Sequence, residues 1–488
     1  MHERYTIPSE VLFVAETLEK SGYPAYLVGG CVRDMLIGKR PKDWDITTSA
    51  TPEIIQSLFT ETFYENSYGT VGVVSESVNP SLKVIEVTPF RTEGEYSNAR
   101  HPDSVTFSTS IEDDLHRRDF TVNAIAYRPK DGSIVDLFGG QDDMKAQRLR
   151  AVGTAEKRFG EDALRMLRAV RLSAELDFAI ELETMTAISM HAHQLKNISR
   201  ERIRDEFLKI INSERPLPAI YIAERLGLLT YILPELREGI GCSQNQAHSF
   251  DVFEHLLRTL QCAADNNWSE TVRIAALLHD IGKPASRRWS EEKKDWTFYG
   301  HEVIGAKMCK KILEDLRLPK QQADDIEKLV RWHMFFSDPD QITLSAVRRV
   351  ITNVGKEHIW DLLNLRVCDR IGTGRPKAHP FRLRKYISMV EEALRDPISV
   401  TQLKVTGVDI SHIVGAPGPR VGWILHALLE EVLDEPQKND RDMLIAKAHE
   451  LQTLSDAELK HRGEQGRDSK ERAEAGEVKK LRDKYHVS

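Results

Sequence analysis

The stretch that decides the fold runs from Tyr26 to Ser49 and reads YLVGGCVRDMLIGKRPKDWDITTS. It predicts a strand that enters a glycine turn, a short helix, and a second strand that begins near Trp44. On a strand, Asp43 and Asp45 point to one face of the sheet and Trp44 to the other. Two carboxylates on one face repel each other unless a cation lies between them, and magnesium with substrate phosphates is the natural occupant. The alternative, a solvated turn beside an ordinary strand end, stays open at this point.

Composition limits the class of protein. The 488 residues are enough for two to four domains, and the chain has 41% hydrophobic residues without an apolar run that could span a membrane. The first ten residues, MHERYTIPSE, contain no apolar signal region, so we expect a cytoplasmic protein. Five scattered cysteines without a Cys-x-x-Cys pair argue against disulfides or a cysteine-ligated zinc. With a net charge of −7, a nucleic-acid partner would need a local basic surface.

The pattern changes along the chain and predicts an α+β fold with five regions. Short β-like runs and helical patches fill residues 1–150, which we interpret as a mixed sheet with helices. Amphipathic helices follow in 151–240, and the helices of 241–375 are rich in histidine. The breaker-rich connector RIGTGRPKAHP leads into a further helical region, 376–455. The last segment, 456–488, holds 9 Lys/Arg and 8 Asp/Glu with few apolar residues, which is typical of a solvated tail.

Four segments identify a family when they are taken together. LVGGCVRD, KDWDI, RRDFTVNAIAY and EDALRMLRAVR occur in this order and at spacings that resemble the signatures of tRNA nucleotidyltransferases, the CCA-adding enzymes, and of the related bacterial poly(A) polymerases. The resemblance is specific over residues 20–240 and weaker to about residue 450. It implies a nucleotidyltransferase palm in 1–150, and a helical neck in 151–240 with nucleotide-selecting and RNA-binding helices.

The resemblance also implies roles for residues of the palm. The triphosphate of the incoming nucleotide would be held by Gly29, Gly30 and Arg33, and two magnesium ions by Asp43 and Asp45. Glu86 is a candidate third carboxylate, although an exposed strand residue or an ion-pair partner is as good an interpretation. The ribose and phosphates of the nucleotide are assigned to Arg118, Asp119 and Asn123. The alternative for this last group is a structural ion pair between Asp119 and Arg117 or Arg118.

A row of charged residues in EDALRMLRAVR is the candidate for choosing the base. If the segment is one helix, Asp162 and Arg165 share a face, and Arg168 and Arg171 continue the row at the same spacing. A carboxylate beside a guanidinium can mimic the edge of a base pair, and the row resembles the protein template that selects CTP and ATP. The alternative is the charged outer face of an amphipathic helix. The polar segment 90–115 matches the position of the family's flexible loop, or is a plain surface loop.

The histidine-rich middle resembles the HD phosphohydrolase superfamily. HSFDVFEHLLRTL, ALLHDIGKP and LRVCDRIG place His255, the pair His279–Asp280, and Asp369 in ligand positions. FYGHEVIGAKM and VRWHMFF add the ligands of the two-metal subtype, His301 and His333. Imidazoles with carboxylates favour a transition metal such as Ni²⁺, Co²⁺ or Mn²⁺. Lys283 is a candidate phosphate contact, and His248 is interpreted as structural.

The sequence therefore predicts a magnesium-dependent tRNA nucleotidyltransferase that uses CTP and ATP and carries an HD phosphohydrolase domain at 241–375. In CCA-adding enzymes such a domain is linked to 2′,3′-cyclic phosphodiesterase and phosphatase activity. Two rivals on the same scaffold are an enzyme that adds only A and a poly(A) polymerase. A rival of another class is an HD phosphohydrolase whose palm only binds RNA or nucleotide. The sequence by itself does not separate CCA addition from A-only addition.

Overall fold

The computed structural model of the protein describes residues 5–64, 69–94, 104–245, 249–335, 342–375 and 377–464. The chain forms two compact units, Met1–Pro234 and Glu235–Ser488, and each is described by itself. The predicted fold class is confirmed, because a mixed sheet with helices occupies the N-terminal part and helices dominate the rest. The division into five regions stays a prediction.

The N-terminal unit contains eleven strands and most of the shorter helices among the described residues. Its strands are β1 (Ala25–Val28), β2 (Asp45–Thr48), β3 (Thr62–Tyr64), β4 (Val71–Val74), β5 (Val84–Pro89), β6 (Arg91–Glu93), β7 (Val105–Phe107), β8 (Ile125–Tyr127), β9 (Ile134–Asp136), β10 (Arg148–Leu149) and β11 (Ala179–Ile180). Its helices are α1 (Ser9–Lys20), α2 (Gly30–Leu36), α3 (Pro52–Leu58), α4 (Ile111–His116), α5 (Gly140–Lys145), α6 (Ala155–Glu161), α7 (Leu164–Leu176), α8 (Leu182–His191), α9 (Arg200–Asn212), α10 (Pro216–Arg225) and α11 (Leu229–Ile232).

Seven of these strands form one sheet in the order β3-β4-β5-β2-β1-β8-β9. The pair β2–β5 is parallel and the other neighbours are antiparallel, so the sheet is mixed as predicted. Leu27 of β1 and Ile46 of β2 are cross-strand partners and are fully buried, which fixes the register of the two central strands. One core cluster joins Val28 and Phe90 to Leu115 of α4. The residue directly before the glycine turn is therefore fixed in the core.

The C-terminal unit is helical apart from one hairpin in its described part. Its helices are α12 (Pro234–Arg237), α13 (Val252–Asp265), α14 (Glu270–Leu278), α15 (Lys283–Ser286), α16 (His301–Asp315), α17 (Lys320–Trp332), α18 (Leu344–Val354), α19 (Ile359–Gly372), α20 (Phe381–Ala393), α21 (Gly407–Val414), α22 (Pro419–Asp434), α23 (Arg441–Leu451) and α24 (Asp456–Glu464). The hairpin is β12 (Arg288–Ser290) with β13 (Asp295–Thr297).

Capping residues set where the helices of this unit begin. The Asp251 side chain accepts the N–H of Glu254 at 2.8 Å and starts α13, and the Ser269 hydroxyl accepts the N–H of Val272 at 3.4 Å and starts α14. Both helices bury a face rich in leucine and alanine. The caps and the buried faces together determine the rotation of each helix, and hence the direction in which its histidine points.

Some predictions fall outside the described residues. These are the structural role of His248, the middle of the polar loop at 95–103, and most of the charged tail, 465–488. Among the residues that are described, we find no helix with the length and apolar character needed to cross a membrane.

Candidate functional site

The predicted palm carboxylates lie at one edge of adjacent strands. Asp45 is the first residue of β2, and its partner in the parallel register with β5 is Glu86. Residues paired in this way point to the same face, so the structure places the candidate third carboxylate next to Asp45. The prediction that Asp43 also lies on the strand is wrong, because β2 begins only at Asp45 and Asp43 is exposed in the bend before it. The bend lies at residues 42 and 43, directly before the buried side chain of Trp44.

The glycine turn leaves room beside these carboxylates. Gly29 has φ of 76°, a left-handed conformation that favours glycine, and it precedes the short helix α2, which begins at Gly30. A Cβ atom on Gly29 would come within 3.2 Å of the Arg118 guanidinium and 3.4 Å of the Asp45 carboxylate. Gly29, Asp45 and Arg118 therefore surround one small space that a side chain would fill. A cradle with both signs of charge suits a metal-bound triphosphate.

A buried aspartate that the sequence analysis missed holds the two arginines of this motif. Asp114 of α4 is fully buried and accepts hydrogen bonds from Arg117 at 2.6 Å and from Arg118 at 2.9 Å. The alternative pairing of these arginines with Asp119 is therefore wrong. Asp114 precedes Arg117 and Arg118 by one helical turn, and this spacing was the signal that could have identified it.

A hydrogen-bonded chain joins the motifs that the sequence keeps apart. The Arg33 guanidinium donates to the Asn123 side-chain oxygen at 2.8 Å and to Asp34 at 2.7 Å. The Asn123 amide group in turn donates to Asp119 at 3.4 Å. Asn123 ends a 3-10 turn that leads into β8, next to β1. Arg33, Asn123 and Asp119 therefore lie together, as the resemblance implies for residues that bind one nucleotide.

Asp119 is held ionised by α7. Its carboxylate accepts hydrogen bonds from Arg168 at 2.7 and 2.8 Å. Burial alone would raise the pKa of Asp119, but Arg168 and Arg165 outweigh burial and hold that pKa at about 2. The ion pair links the palm to the helix that carries the predicted template row.

The predicted row itself is only partly on that helix. Asp162 is not helical, because α6 ends at Glu161 and α7 begins at Leu164. The Asp162 carboxylate accepts the N–H of Leu164 at 3.0 Å and a hydrogen bond from Arg202 of α9 at 2.7 Å. An aspartate just before a helix favours the start of that helix, because its carboxylate accepts one of the free backbone N–H groups there. The prediction of one continuous helix through Asp162 is therefore wrong.

The arginines of the row have partners of their own. Arg165 pairs with Glu161 at 2.6 Å and donates to the Arg117 backbone oxygen at 3.1 Å. Arg171, two turns further along α7, pairs with Glu206 of α9 and with Glu175, both at 2.8 Å. Glu161, Glu206 and Arg202 were not predicted as site residues. The row therefore extends from Arg165, which contacts the palm at Arg117, to Arg171, which contacts α9 at Glu206.

The described part of the polar loop borders this region. β6 and β7 pair as a hairpin, and a cavity of about 780 Å³ lies against its base. The cavity is lined by Thr92 and Gly94 from the hairpin side and by Lys157 and Glu161 of α6. The loop base thus faces α6 across this cavity.

The six predicted ligands of the HD region come together in two groups that share Asp280. The first group joins His255 and His279 with Asp280 and Asp369. Here His255 Nε2 lies 3.1 Å from His279 Nε2, 3.1 Å from Asp280 Oδ2 and 3.5 Å from Asp369 Oδ1. These are the only such groups of three or more His, Cys, Asp or Glu side chains within the described residues. The palm carboxylates form no such group.

The second group joins Asp280 to the two extra ligands. Asp280 Oδ1 lies 3.2 Å from His301 Nε2 and 3.4 Å from His333 Nε2, and the two ring nitrogens are 3.3 Å apart. Asp280 thus directs one oxygen to each group and can bridge two ions. All these side chains are buried, and they come from the ends or first turns of α13, α14, α16, α17 and α19.

The donor set fits metal ions. The Nδ1 atoms of His279, His301 and His333 lie 3.0, 2.7 and 2.7 Å from backbone oxygens, which only accept hydrogen bonds. Each Nδ1 therefore carries the hydrogen, and each Nε2 presents a lone pair to its neighbours. Two such lone pairs face the Asp280 Oδ1 atom, which has no hydrogen-bond donor among the described residues. Lone pairs directed at one another repel unless a cation lies between them.

Neighbouring cations keep the carboxylates of this centre ionised. Burial alone would raise the pKa of Asp280, but the ammonium group of Lys283 at 2.6 Å holds it well below its usual range. Lys283 also donates to Gln244 at 2.6 Å, and Arg366 pairs with Asp369 at 2.7 Å. Gln244 and Arg366 were missed by the sequence analysis. For Arg366, the three-residue spacing to Asp369 on one helix was an available signal.

Three family models match parts of the chain. The poly A polymerase head domain matches residues 25–150, a probable RNA- and SrmB-binding site of polymerase A matches 177–240, and the HD domain matches 252–354. Asp369 lies beyond the last match, yet the structure brings it to the HD ligands.

Relatives cover nearly the whole chain. The CCA-adding enzyme of Levilactobacillus brevis is 31% identical over 437 residues, which are 89% of this chain and 95% of that protein. The CCA-adding enzyme of Geobacillus stearothermophilus is 32% identical over 443 residues, which are 90% of this chain and 95% of that protein.

Solved structures of CCA-adding enzymes also match most of the chain. The crystal structure of the Bacillus stearothermophilus CCA-adding enzyme in complex with CTP is 29% identical, with a TM-score of 0.70 over 91% of this chain and 98% of that one. The Thermotoga maritima CCA-adding enzyme complexed with tRNA is 19% identical with a TM-score of 0.52, and shows likeness of fold alone. Since relatives above 30% identity match over nearly their full length, the chain belongs to the family of CCA-adding enzymes.

Proposed function

We propose that the protein adds the 3′-terminal CCA sequence to tRNA from CTP and ATP by two-metal nucleotidyl transfer. The observation that carries this proposal is the space around Gly29, which is bordered by Asp45 and Arg118 and lies beside the chain from Arg33 to Asp119. Kinship with CCA-adding enzymes, one of which was solved with CTP, supports the choice of substrate.

The palm residues fall into two groups, carboxylates for metal ions and guanidiniums for phosphates. Asp43, Asp45 and Glu86 supply the oxygens that would hold magnesium, which when bound activates the primer 3′-hydroxyl and neutralises the leaving pyrophosphate. Arg33 and Arg118 supply guanidinium donors for the triphosphate. Each of the two guanidiniums is fixed by a neighbouring carboxylate, so its orientation does not have to be acquired during binding.

The nucleotide would be oriented and chosen by the next group of residues. Asn123 and Asp119 offer donors and acceptors to the ribose hydroxyls. Asp162 and Arg165 lie at the break before α7 and would read the base edge, with Arg168 and Arg171 keeping α7 in position through Asp119 and Glu206. Reading the base would require Asp162 and Arg165 to exchange their present partners, Arg202 and Glu161, for the nucleotide.

We propose a second activity for the HD centre, the hydrolysis of a phosphate ester such as a 2′,3′-cyclic phosphate. Imidazole and carboxylate donors suit Ni²⁺, Co²⁺ or Mn²⁺, which when bound supply Lewis-acid activation of the ester. Lys283 lies 2.6 Å from Asp280 and would offer an ammonium group to the phosphate oxygens. Such a hydrolase would prepare RNA ends for an enzyme that rebuilds them.

The test of nucleotide addition uses a tRNA that lacks its CCA end. The full chain with magnesium is incubated with CTP alone, ATP alone, or both, and the products are resolved by length. CCA addition requires two residues from CTP alone and three from both nucleotides. Addition of A without C would favour the A-only enzyme, and long tracts of A would favour a poly(A) polymerase. No addition at all would leave the HD phosphohydrolase as the main activity.

A substitution at Asp45 tests whether this palm carboxylate is needed for nucleotide addition. Asp45→Ala should lower addition by orders of magnitude, because the ligand beside Glu86 is lost. Asp142→Ala, at an exposed carboxylate on α5, is the matched control. A folded Asp45→Ala variant that keeps more than about a tenth of wild-type addition contradicts the two-metal assignment.

A further inference from the structure

The HD centre opens into a cavity that is larger than its proposed reaction requires. The cavity has a volume of about 1120 Å³ and extends from Asp280 and Asp369 to the β12–β13 hairpin and the start of α20. Small-molecule pockets are commonly about 300–1,000 Å³. The space next to the metal ligands therefore accommodates more than a single nucleotide.

The wall of this cavity is rich in cations. Its basic lining residues are Lys283, Lys293, Arg366, Arg370, Arg375 and Arg382. In the described part of the chain, the only ion pair made by Arg366, Arg370 or Arg375 is that of Arg366 with the metal-ligand candidate Asp369, at 2.7 Å. Arg370 follows Arg366 by one turn of α19, and its Nε atom donates to the Lys377 backbone oxygen at 2.6 Å. Within the described residues, Arg370 and Arg375 thus line the cavity without a carboxylate partner, an arrangement suited to a phosphate.

Aromatic side chains border the same cavity. Tyr299 is 57% exposed and Phe381 is 66% exposed, although both line the cavity wall. Trp296 of β13 also lines the cavity, and its ring is covered on one side by the Arg287 guanidinium at 3.7 Å. Exposed aromatic rings beside cationic side chains are the usual platform for unpaired bases, because every base can stack on a ring whatever its identity.

We propose that this cavity binds the single-stranded 3′ end of an RNA, and that the HD centre prefers an oligonucleotide to a mononucleotide. The terminal ribose with its cyclic phosphate lies at the metal ligands, Arg370 and Arg375 hold the next phosphodiester, and Tyr299 and Phe381 stack bases. The inference rests on the proposed hydrolase function and names its substrate class. In the reaction a water oxygen bonds to phosphorus, one ribose–phosphate ester bond breaks, and the released ribose oxygen takes up the proton.

The first experiment compares two substrates that carry the same reactive group. The full-length protein with Ni²⁺, Co²⁺ or Mn²⁺ is assayed on a 2′,3′-cyclic mononucleotide and on a tetranucleotide that ends in the same cyclic phosphate. We expect kcat/KM to be higher for the tetranucleotide in the wild type. Arg370→Ala with Arg375→Ala should reduce the ratio of the two kcat/KM values by about tenfold or more, since both charge-assisted contacts to the next phosphodiester are lost.

Two control variants separate charge from structure. Arg370→Lys with Arg375→Lys should recover part of the preference. Lys307→Ala removes an exposed charge from α16, the helix that also carries His301, at a position outside the cavity lining, and should leave the ratio as in the wild type. If the double alanine variant keeps the wild-type ratio, the proposal is overturned. This holds even where kcat/KM falls, provided that it falls equally on both substrates.

The second experiment does not depend on hydrolysis. A tetranucleotide with a 3′-phosphate and 4-thiouridine at its third position is irradiated with the wild-type protein, and crosslinked peptides are identified by mass spectrometry. Crosslinks should appear in the segment 287–299 or at the start of α20, and should decrease in Tyr299→Ala with Phe381→Ala. If the wild type hydrolyses neither substrate, the proposed hydrolase function fails while this crosslink still decides the RNA site. Absence of a crosslink at these segments overturns the site itself.

Discussion

At the scale of single residues, buried carboxylates orient the arginines of the palm. Burial alone would raise the pKa of Asp114, but Arg118 and Arg117 hold it below its usual range. Asp114 therefore stays charged and directs Arg118 toward Gly29, where substrate phosphates are proposed to bind. A guanidinium that is already fixed loses less conformational freedom when its ligand arrives.

The contribution of a buried carboxylate–arginine pair to stability can be tested at Asp119 by varying the pH. Its pKa falls from 3.8 to about 2 in the folded protein, so its pair with Arg168 stabilises the fold above pH 3.8 and this contribution is lost as the pH falls through about 2. The shift corresponds to about 2 kcal/mol. Asp119→Asn should therefore lower the free energy of unfolding by about that amount at pH 7, and by much less near pH 2.5.

The measurement is urea unfolding of the full chain at several pH values, followed by a probe in the N-terminal unit. Asp142→Asn is the control, because Asp142 forms an exposed pair with Lys145, and such pairs contribute at most about 1 kcal/mol. A loss in Asp119→Asn that is equally large at pH 7 and at pH 2.5 would contradict the ion-pair explanation.

Asp162 combines two functions that can be separated by substitution. Asn keeps the ability to accept the Leu164 N–H but changes the carboxylate edge, whereas Ala removes both. We expect Asp162→Asn and Asp162→Ala both to raise misincorporation of UTP and GTP relative to CTP and ATP. Only Asp162→Ala should also lose about 1 kcal/mol of stability. Wild-type selectivity in a folded Asp162→Asn variant would make this residue a helix cap alone.

At the scale of elements, the HD centre depends on the close approach of α16 to the turn after α14. A Cβ atom on Gly282 would contact the His301 backbone oxygen and would lie 2.6 Å from the Gly305 nitrogen. His301 is the first residue of α16 and directs its Nε2 atom at Asp280. The distance between α16 and this turn therefore determines whether the second metal group can form.

Gly282→Ala should displace α16 and weaken metal binding at the second group. The expected result is a loss of one bound Ni²⁺ or Mn²⁺ per chain in equilibrium dialysis, with unfolding at a lower temperature. Gly305→Ala is the matched control, because its Cβ atom would meet the Gly282 nitrogen only at 3.4 Å, and alanine favours a helix. Equal metal content in the two variants would show that the glycine contact does not position His301.

At the scale of the whole molecule, the two compact units carry ligand sets of different chemistry. The N-terminal unit offers carboxylates and guanidiniums, which suit magnesium and a triphosphate. The C-terminal unit offers four imidazoles and two carboxylates, which suit transition metals. Since each unit holds its own ligands, we expect the two activities to respond independently to mutation and to metal.

His279→Ala with Asp280→Ala should abolish hydrolysis of a cyclic phosphate and spare addition of CTP and ATP, whereas Asp43→Ala with Asp45→Ala should do the reverse. After chelation, magnesium should restore addition alone, and Ni²⁺, Co²⁺ or Mn²⁺ should be needed for hydrolysis. Both reactions are measured on the same preparations. If either double variant loses both activities while its fold is intact, the sites are coupled rather than independent.

The sequence by itself determined the fold class, because the alternation of apolar residues and the glycine turn are local signals. The resemblance of its histidine-rich segments to the HD superfamily also identified the six side chains that the structure gathers into two groups. Only the tertiary structure decided which charges meet. Asp119 pairs with Arg168, 49 residues away, and Asp162 lies at a helix break and pairs with Arg202, 40 residues away. Such choices depend on how distant elements pack, since several carboxylates near each arginine could have served equally well by sequence, and burial and geometry select one.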